Sequence, residues 1–350
     1  MVKTEQKQEL VHSSPRHLSI LHKYKIIFNT FVHGFEINMK RVVNIYLICS
    51  IIFTMFLLAS CKGGQSSPEN SAEKTHKKLK LVEIPSMMTD PESRSKYAAE
   101  HFWDKFDFTD STYLFNKDSL NEYIATYLQI LSFTTSDVAD KSLSGLSSKF
   151  LIGDLALCTY FMEILEEALY SPNSNIRNET LYISYLKHLV ASKHIDPIIK
   201  EKFTFQLELA LKNRPGAASI DFKYIDNKNQ ASSLYKTTGK YILVFFYEPG
   251  CPSCKEIKQG ILDSPMFGSI GNNITYLAVY TGENYNDWKE SFETFPENWI
   301  VAHDINQELI NNKLYDLRAS PTMYLLDNSH KVLLKDPDLF QLDNYLSTLL

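Results

Sequence analysis

Tyr241-Ile-Leu-Val-Phe-Phe-Tyr247 runs directly into Glu248-Pro-Gly-Cys251-Pro-Ser-Cys254-Lys-Glu-Ile-Lys-Gln-Gly-Ile261. Seven apolar and aromatic residues in succession predict a strand buried on both faces, and the spacing of three to four that follows predicts a helix. Two cysteines therefore stand where a buried strand hands over to a helix N-terminus. Free backbone N–H groups and the positive end of the helix dipole stabilise an anion there, so Cys251 is expected to ionise more readily than a free cysteine. Cys254 lies one helical turn further in, close enough to close a disulfide with Cys251 yet shielded by the turn above it. Cys251 would attack and Cys254 would resolve the mixed disulfide. Pro252 suits the first helical position, where its missing N–H is not needed. A Cys-x-x-Cys is also half of many zinc sites, but such sites draw four ligands, usually from a second pair, and the chain has no other cysteine pair.

The chain has 350 residues, enough for two domains, and an apolar fraction of 44% suited to ordinary cores. Residues 1–60 carry seven Lys/Arg and three Asp/Glu, which leaves 29 against 38 for residues 61–350. An acidic mature part gives no reason to expect nucleic-acid binding.

The N-terminal region reads as an address. Met39-Lys40-Arg41 is basic, Val42 to Leu58 is an apolar run of seventeen residues, and Leu58-Ala59-Ser60-Cys61 closes it. That is the layout of a secretory signal peptide over residues 39–60, and it resembles the lipobox of bacterial lipoproteins, which implies lipidation of Cys61. The alternative is a transmembrane anchor, for which seventeen residues is the lower edge. Residues 1–38 fit neither a signal nor a core, and Met39 is the expected start. Residues 61–92, rich in Ser, Lys, Glu, Gly and Asn, read as a flexible tether.

Residues 93–213 are helical by pattern, with about five helices expected in a bundle. Ser119 and Glu122 have capping-box spacing ahead of the stripe Leu120, Tyr123, Ile124, Tyr127, Leu128, Leu131. Leu151, Leu155, Cys158, Met162, Leu165 and Leu169 form a second stripe, in which Cys158 reads as a small buried hydrophobe. Asp196-Pro197 opens a helix that runs to about Lys212. His101-Phe-Trp-Asp-Lys-Phe-Asp-Phe108 suggests either a binding surface or, as the preferred reading, packing on one helix face. His188 and His194 have no partners at ligand spacing.

Arg214-Pro-Gly-Ala-Ala218 marks the domain boundary. Beyond it, strands are expected at Ile220–Ile225, Tyr241–Tyr247, Ile274–Tyr280, Trp299–Ala302, Thr322–Leu326 and Lys331–Lys335. The last two pair as a hairpin about Asp327-Asn-Ser-His330. Helices are expected after Cys251, at Trp288–Phe295, at Gln307–Tyr315 and from Asp338 to Leu350. Residues 214–350 thus form a mixed sheet covered on both faces.

Gly239-Lys-Tyr, Cys251-Pro-Ser-Cys254 and Ala319-Ser-Pro321-Thr322 together resemble the thioredoxin-like fold, in the branch of membrane-tethered periplasmic proteins related to cytochrome c maturation reductases. The resemblance covers residues 214–350, and the whole layout is similar to bacterial lipoproteins that join a helical domain to a thioredoxin-like one. It implies that Pro321 is a cis-proline facing the cysteines and that Ser320 pairs backbone to backbone with a bound substrate.

There are departures from that pattern. Gly250 replaces the tryptophan that commonly precedes the first cysteine, and Phe245 stands where thioredoxin keeps a buried acid. Proton transfer to or from Cys254 needs another group or water. Glu248 and Glu256 are the candidates, the latter one position short of a related acid in the cytochrome-maturation type. Lys255 is a further charge near the thiols. The peroxiredoxin pattern Pro-x-x-x-Thr/Ser-x-x-Cys finds Val244 and Glu248 before Cys251, and Tyr247 and Cys251 before Cys254, so it fits neither. Copper-delivery relatives need a wider cysteine pair and a histidine, for which His303 and His330 qualify only by presence.

The sequence thus predicts an all-α helical bundle followed by an α/β thioredoxin-like domain. The expected function is thiol–disulfide exchange with protein substrates and a redox partner not identified by sequence. No metal and no cofactor beyond a Cys251–Cys254 disulfide is expected. The expected location is the periplasm, lipid-anchored through Cys61, with the outer membrane as the expected membrane. The alternative is a binding or scaffold lipoprotein whose helical domain recognises a partner.

Overall fold

The computed structural model describes residues 79–349. The extension 1–38, the signal 39–60, Cys61 and most of the tether lie outside them. Among the described residues no helix is long and apolar enough to cross a membrane.

Six α-helices come first: α1 Pro91–His101, α2 Lys117–Ser132, α3 Ser136–Phe150, α4 Leu155–Tyr170, α5 Glu179–Ala191 and α6 Pro197–Leu211. Each begins at a side-chain cap that satisfies a free N–H. For α2 the cap is Asn116, which accepts from the Ser119 N–H at 3.1 Å, so the helix starts ahead of the expected Ser119–Glu122 box. Asp154 caps α4 and turns Leu155 outward, 79% exposed; the buried stripe is Leu157, Cys158, Phe161, Leu165 and Leu169. Leu151 belongs to the end of α3.

The aromatic run after His101 leaves the helix and folds inward. Phe102, Trp103, Phe106 and Phe108 are all buried, with Trp103 edge-on to Phe106, Tyr127 and Phe161. It is core, formed by a turn and not by a helix face. The ordered layer also starts inside the expected tether, because Leu79 and Val82 pack on this core and the Tyr123 hydroxyl donates to the Lys80 carbonyl at 3.1 Å.

The remainder is a seven-stranded sheet flanked by helices. Its strands are β1 Lys223–Asp226, β2 Ala231–Ser233, β3 Tyr241–Tyr247, β4 Ile274–Tyr280, β5 Ile300–His303, β6 Thr322–Asp327 and β7 Val332–Lys335. The order is β2-β1-β5-β4-β3-β6-β7, with β3, β4 and β5 parallel and the other pairs antiparallel. The helices are α7 Pro252–Asp263, α8 Pro265–Ile270, α9 Tyr285–Glu290, α10 Glu308–Asn311 and α11 Leu339–Ser347.

Strand β3 is central and carries both cores. Leu243, Phe245 and Tyr247 face α7, α8 and α11, while Ile242, Val244 and Phe246 face Phe222, Leu309 and Tyr315 on the other side. That double burial is why the strand reads as an unbroken apolar run. The helix expected over Gln307–Tyr315 is a single turn: the buried Asp304 carboxylate caps its start, and Lys313 at φ 50° ends it. Strand β2 was not expected from the sequence, and Trp288 sits in α9, which begins three residues early.

Candidate functional site

Glu248, Pro249, Gly250 and Cys251 form a tight turn between β3 and α7. The Cys251 N–H donates to the Glu248 carbonyl at 3.2 Å, and Gly250 has φ +75°. Proline at the second position and a positive-φ glycine at the third fit a type II turn. Gly250 thus fills a position that L side chains rarely adopt, which explains the missing tryptophan.

Cys251 is the N-cap of α7, and its sulfur accepts the Cys254 N–H at 3.2 Å. Cys251 is half-buried, Cys254 is buried, and both are free thiols. The Cys251 thiol donates to the Ser320 carbonyl at 3.5 Å, and the Ser320–Pro321 peptide is cis. The loop before β6 therefore covers the outer sulfur. The inner thiol is different: burial, followed by its hydrogen bond with the Cys251 sulfur, pushes the Cys254 thiol well up.

The two candidate proton carriers separate clearly. Glu256 is exposed on α7. Glu248 is half-buried and lines a cavity of about 710 Å³ whose wall also includes Cys254, Lys258, Asp287 and Phe295. Burial raises the Glu248 carboxyl, while the Thr281 hydroxyl, donating at 3.2 Å, acts the other way. Glu248 and Cys254 interact electrostatically. Parallel pairing sets the Glu248–Thr281 contact, because Tyr247 lies opposite Tyr280 and the next residues are Glu248 and Thr281.

Lys258 was missed by sequence reasoning. One turn beyond Cys254, it donates to the Thr294 carbonyl and lies 4.3 Å from the Phe295 ring centre. Burial lowers its ammonium, as does neighbouring Lys255. Its spacing of four from Cys254 was the available signal. Lys255 itself is exposed. The His303 Nε2–H donates to the Gly282 carbonyl at 2.9 Å, and the His330 Nε2–H donates to the Thr237 carbonyl at 3.0 Å. Among the described residues no cluster of three or more His, Cys, Asp or Glu is arranged to hold a metal.

Comparison with known proteins places both halves. The Thioredoxin-like domain model matches residues 228–335, and the Domain of unknown function (DUF5106) matches residues 59–213. A thioredoxin-like protein from Bacteroides caccae ATCC 43185 is 32% identical, with a TM-score of 0.74 over 78% of this chain and 99% of that one. The C-terminal domain of a Bacteroides fragilis NCTC 9343 protein is 34% identical over 39% of this chain and 98% of that one, TM-score 0.38. The thioredoxin domain of a Bacteroides vulgatus thiol-disulfide oxidoreductase is 23% identical over 39% and 97%, TM-score 0.35. No curated protein matches in sequence. With the sheet, the turn and the likeness to the B. caccae structure over 78% of this chain in agreement, the chain belongs to the thioredoxin-like proteins, its thioredoxin-like domain preceded by a DUF5106 helical domain.

Proposed function

We propose that the protein is a thiol–disulfide oxidoreductase acting on protein substrates through Cys251 and Cys254. The observation that carries this reading is the asymmetry of the pair. One sulfur is partly open at a helix N-terminus and faces a backbone carbonyl, and the other is buried beneath it with a raised thiol pKa. An accessible first sulfur and a sheltered second one suit sequential exchange.

In the reducing direction the Cys251 thiolate attacks one sulfur of a substrate disulfide, and the other substrate sulfur leaves and takes a proton. Cys254 then passes its proton to the Glu248 carboxylate and attacks the Cys251 sulfur, so the mixed disulfide breaks and the second substrate sulfur leaves as a thiolate and takes a proton from water. Two electrons have moved to the substrate, and the Cys251–Cys254 disulfide is reset by a dithiol donor. The oxidising direction runs the same steps backward. The backbone of Ser320, ahead of Pro321, holds the substrate chain beside Cys251.

The proposal includes attachment to a bacterial membrane, with the outer membrane favoured, on the periplasmic side through a lipid on Cys61. The lipobox-like Leu58-Ala59-Ser60-Cys61 supports it. Labelling with radioactive palmitate should mark the wild type and not Cys61→Ala; equal labelling would refute the anchor.

Insulin reduction with a dithiol donor tests the activity. Wild type should precipitate the insulin B chain and Cys251→Ala should not. Equal activity in both, or none from folded wild type with either a reducing or an oxidising partner, would favour a binding role for the helical domain.

A further inference from the structure

The loop that faces Cys251 is anchored in the helical layer. Arg318, two residues before Ser320, donates to Asp316 and, at 3.4 Å, to Asp336. Its guanidinium carbon lies 3.9 Å from the ring centre of Tyr170, the last residue of α4. The Tyr170 hydroxyl donates to both oxygens of Asp316, at 3.2 and 3.1 Å. Arg177, in the connection to α5, donates to the Asp336 carboxylate at 2.7 Å and to its backbone carbonyl at 2.8 Å.

These charges are sheltered. The side chains of Asp316, Arg318, Asp336 and Arg177 are 2, 19, 21 and 23% exposed. In such surroundings hydrogen-bonded ions are held firmly, and the planar arginine fork fixes direction as well as distance. Arg318 is thus clamped between the sheet and the helices. Only Ala319, Ser320 and Pro321 separate it from Thr322, the first residue of β6. Three residues held at both ends leave Ser320 little slack.

We propose that Tyr170 and Arg177 are positioning residues for the Ser320–Pro321 element, acting through Arg318 and Asp336. The helical domain thereby helps to set how a substrate chain meets Cys251. This rests on the oxidoreductase reading and assigns the helical layer a part in substrate alignment.

The test uses the full chain with Tyr170→Phe, Arg177→Gln and Arg318→Lys. Tyr170→Phe keeps the ring and removes only the hydroxyl, so it should fold even if the others do not. Two substrates are compared: insulin, whose chain must lie along Ser320, and 5,5′-dithiobis(2-nitrobenzoate), which has no chain to align. For a lost coupling of about 1 kcal/mol, KM for insulin should rise roughly fivefold, with kcat and the small-disulfide rate within about twofold. Arg318→Lys should behave like Arg177→Gln, because an ammonium cannot replace the fork.

Unchanged insulin KM in variants that melt like wild type would overturn the proposal. So would an equal fall with both substrates, which marks only a loss of folded protein. Wild type inactive on both would remove the oxidoreductase reading and this inference with it, whereas active wild type with unaffected variants removes the inference alone.

Discussion

Replacing Gly250 by alanine isolates the backbone cost of the turn that delivers Cys251. A Cβ built at Gly250 meets no atom within 4 Å, so the substitution creates no clash. What remains is the φ of +75°. Holding an L residue in left-handed backbone costs about 1–2 kcal/mol relative to glycine. Alanine also has fewer unfolded conformations, and that should offset the penalty by only a few tenths of a kcal/mol here, at the low end of the usual Gly→Ala gain. The net expectation is a loss of about 1 kcal/mol, or ~2–4 °C in Tm for a unit of this size. Asparagine tolerates the left-handed region, so Gly250→Asn should lie between glycine and alanine. Paired urea and thermal melts of the three proteins measure this. Alanine as stable as glycine, or asparagine below alanine, would refute the assignment of a strained turn. If the turn also sets the height of the Cys251 sulfur, the alanine protein should react more slowly with a small disulfide than its folded fraction explains.

Four further outcomes follow from the site. Glu248→Gln should slow resolution of a trapped mixed disulfide by about tenfold or more, read by stopped-flow thiol release, and an unchanged rate would exclude Glu248 as the proton acceptor. The same change has a pH signature. Burial raises the Glu248 carboxyl, so the folded state favours its neutral form, and wild type loses stability as pH rises through the ordinary carboxylate range to the raised value. Glu248→Gln should therefore gain on wild type near pH 7 and show no advantage near pH 3, judged by urea midpoints at about those two pH values. Glu256→Gln should change stability by less than about 0.5 kcal/mol and leave exchange rates alone, because the side chain is exposed; slowed resolution would contradict that. Phe245→Asp, which puts an acid where thioredoxin keeps one, should cost about 4 kcal/mol or more, since Phe245 is fully buried with its ring 5.9 Å from Trp299; a melt like that of wild type would refute this.

The fold was legible where burial leaves a long apolar run or a period in the sequence. The run Tyr241–Tyr247 and the run Ile274–Tyr280 coincide with β3 and β4 because each is covered on both faces. Short elements were harder to place. A three-residue strand such as β2 has no period to read, and α10 is cut to one turn by Asp304 and Lys313, whose capping and left-handed backbone depend on their neighbours. Leu155 misled for a related reason: a residue next to a cap takes its direction from the cap, not from the stripe that follows. At the site, the cysteines, Ser320, Pro321 and Glu248 stand out in the chain, but separating Glu248 from Glu256 required the register between β3 and β4. The seam around Arg318 was beyond reach, because its ties to the helical layer, through Tyr170 and Arg177, join residues more than a hundred positions apart.

The unbroken apolar run of β3 and the acidic turn after it are two sides of one arrangement. A carboxylate within the strand, at Phe245, would stand at a position with no exposed surface, among the rings of Tyr247 and Trp299 at the inner end of the same cavity. Moving the acid three residues on, to the strand's carboxyl end, lets Thr281 at the end of the neighbouring strand solvate it while the cavity keeps it open to water. The cost of a buried charge falls, and Glu248 stays on the cavity wall that it shares with Cys254. On the proposed mechanism, the proton leaving Cys254 then needs no route through the sheet, because its acceptor already stands at the cavity wall that the thiol shares.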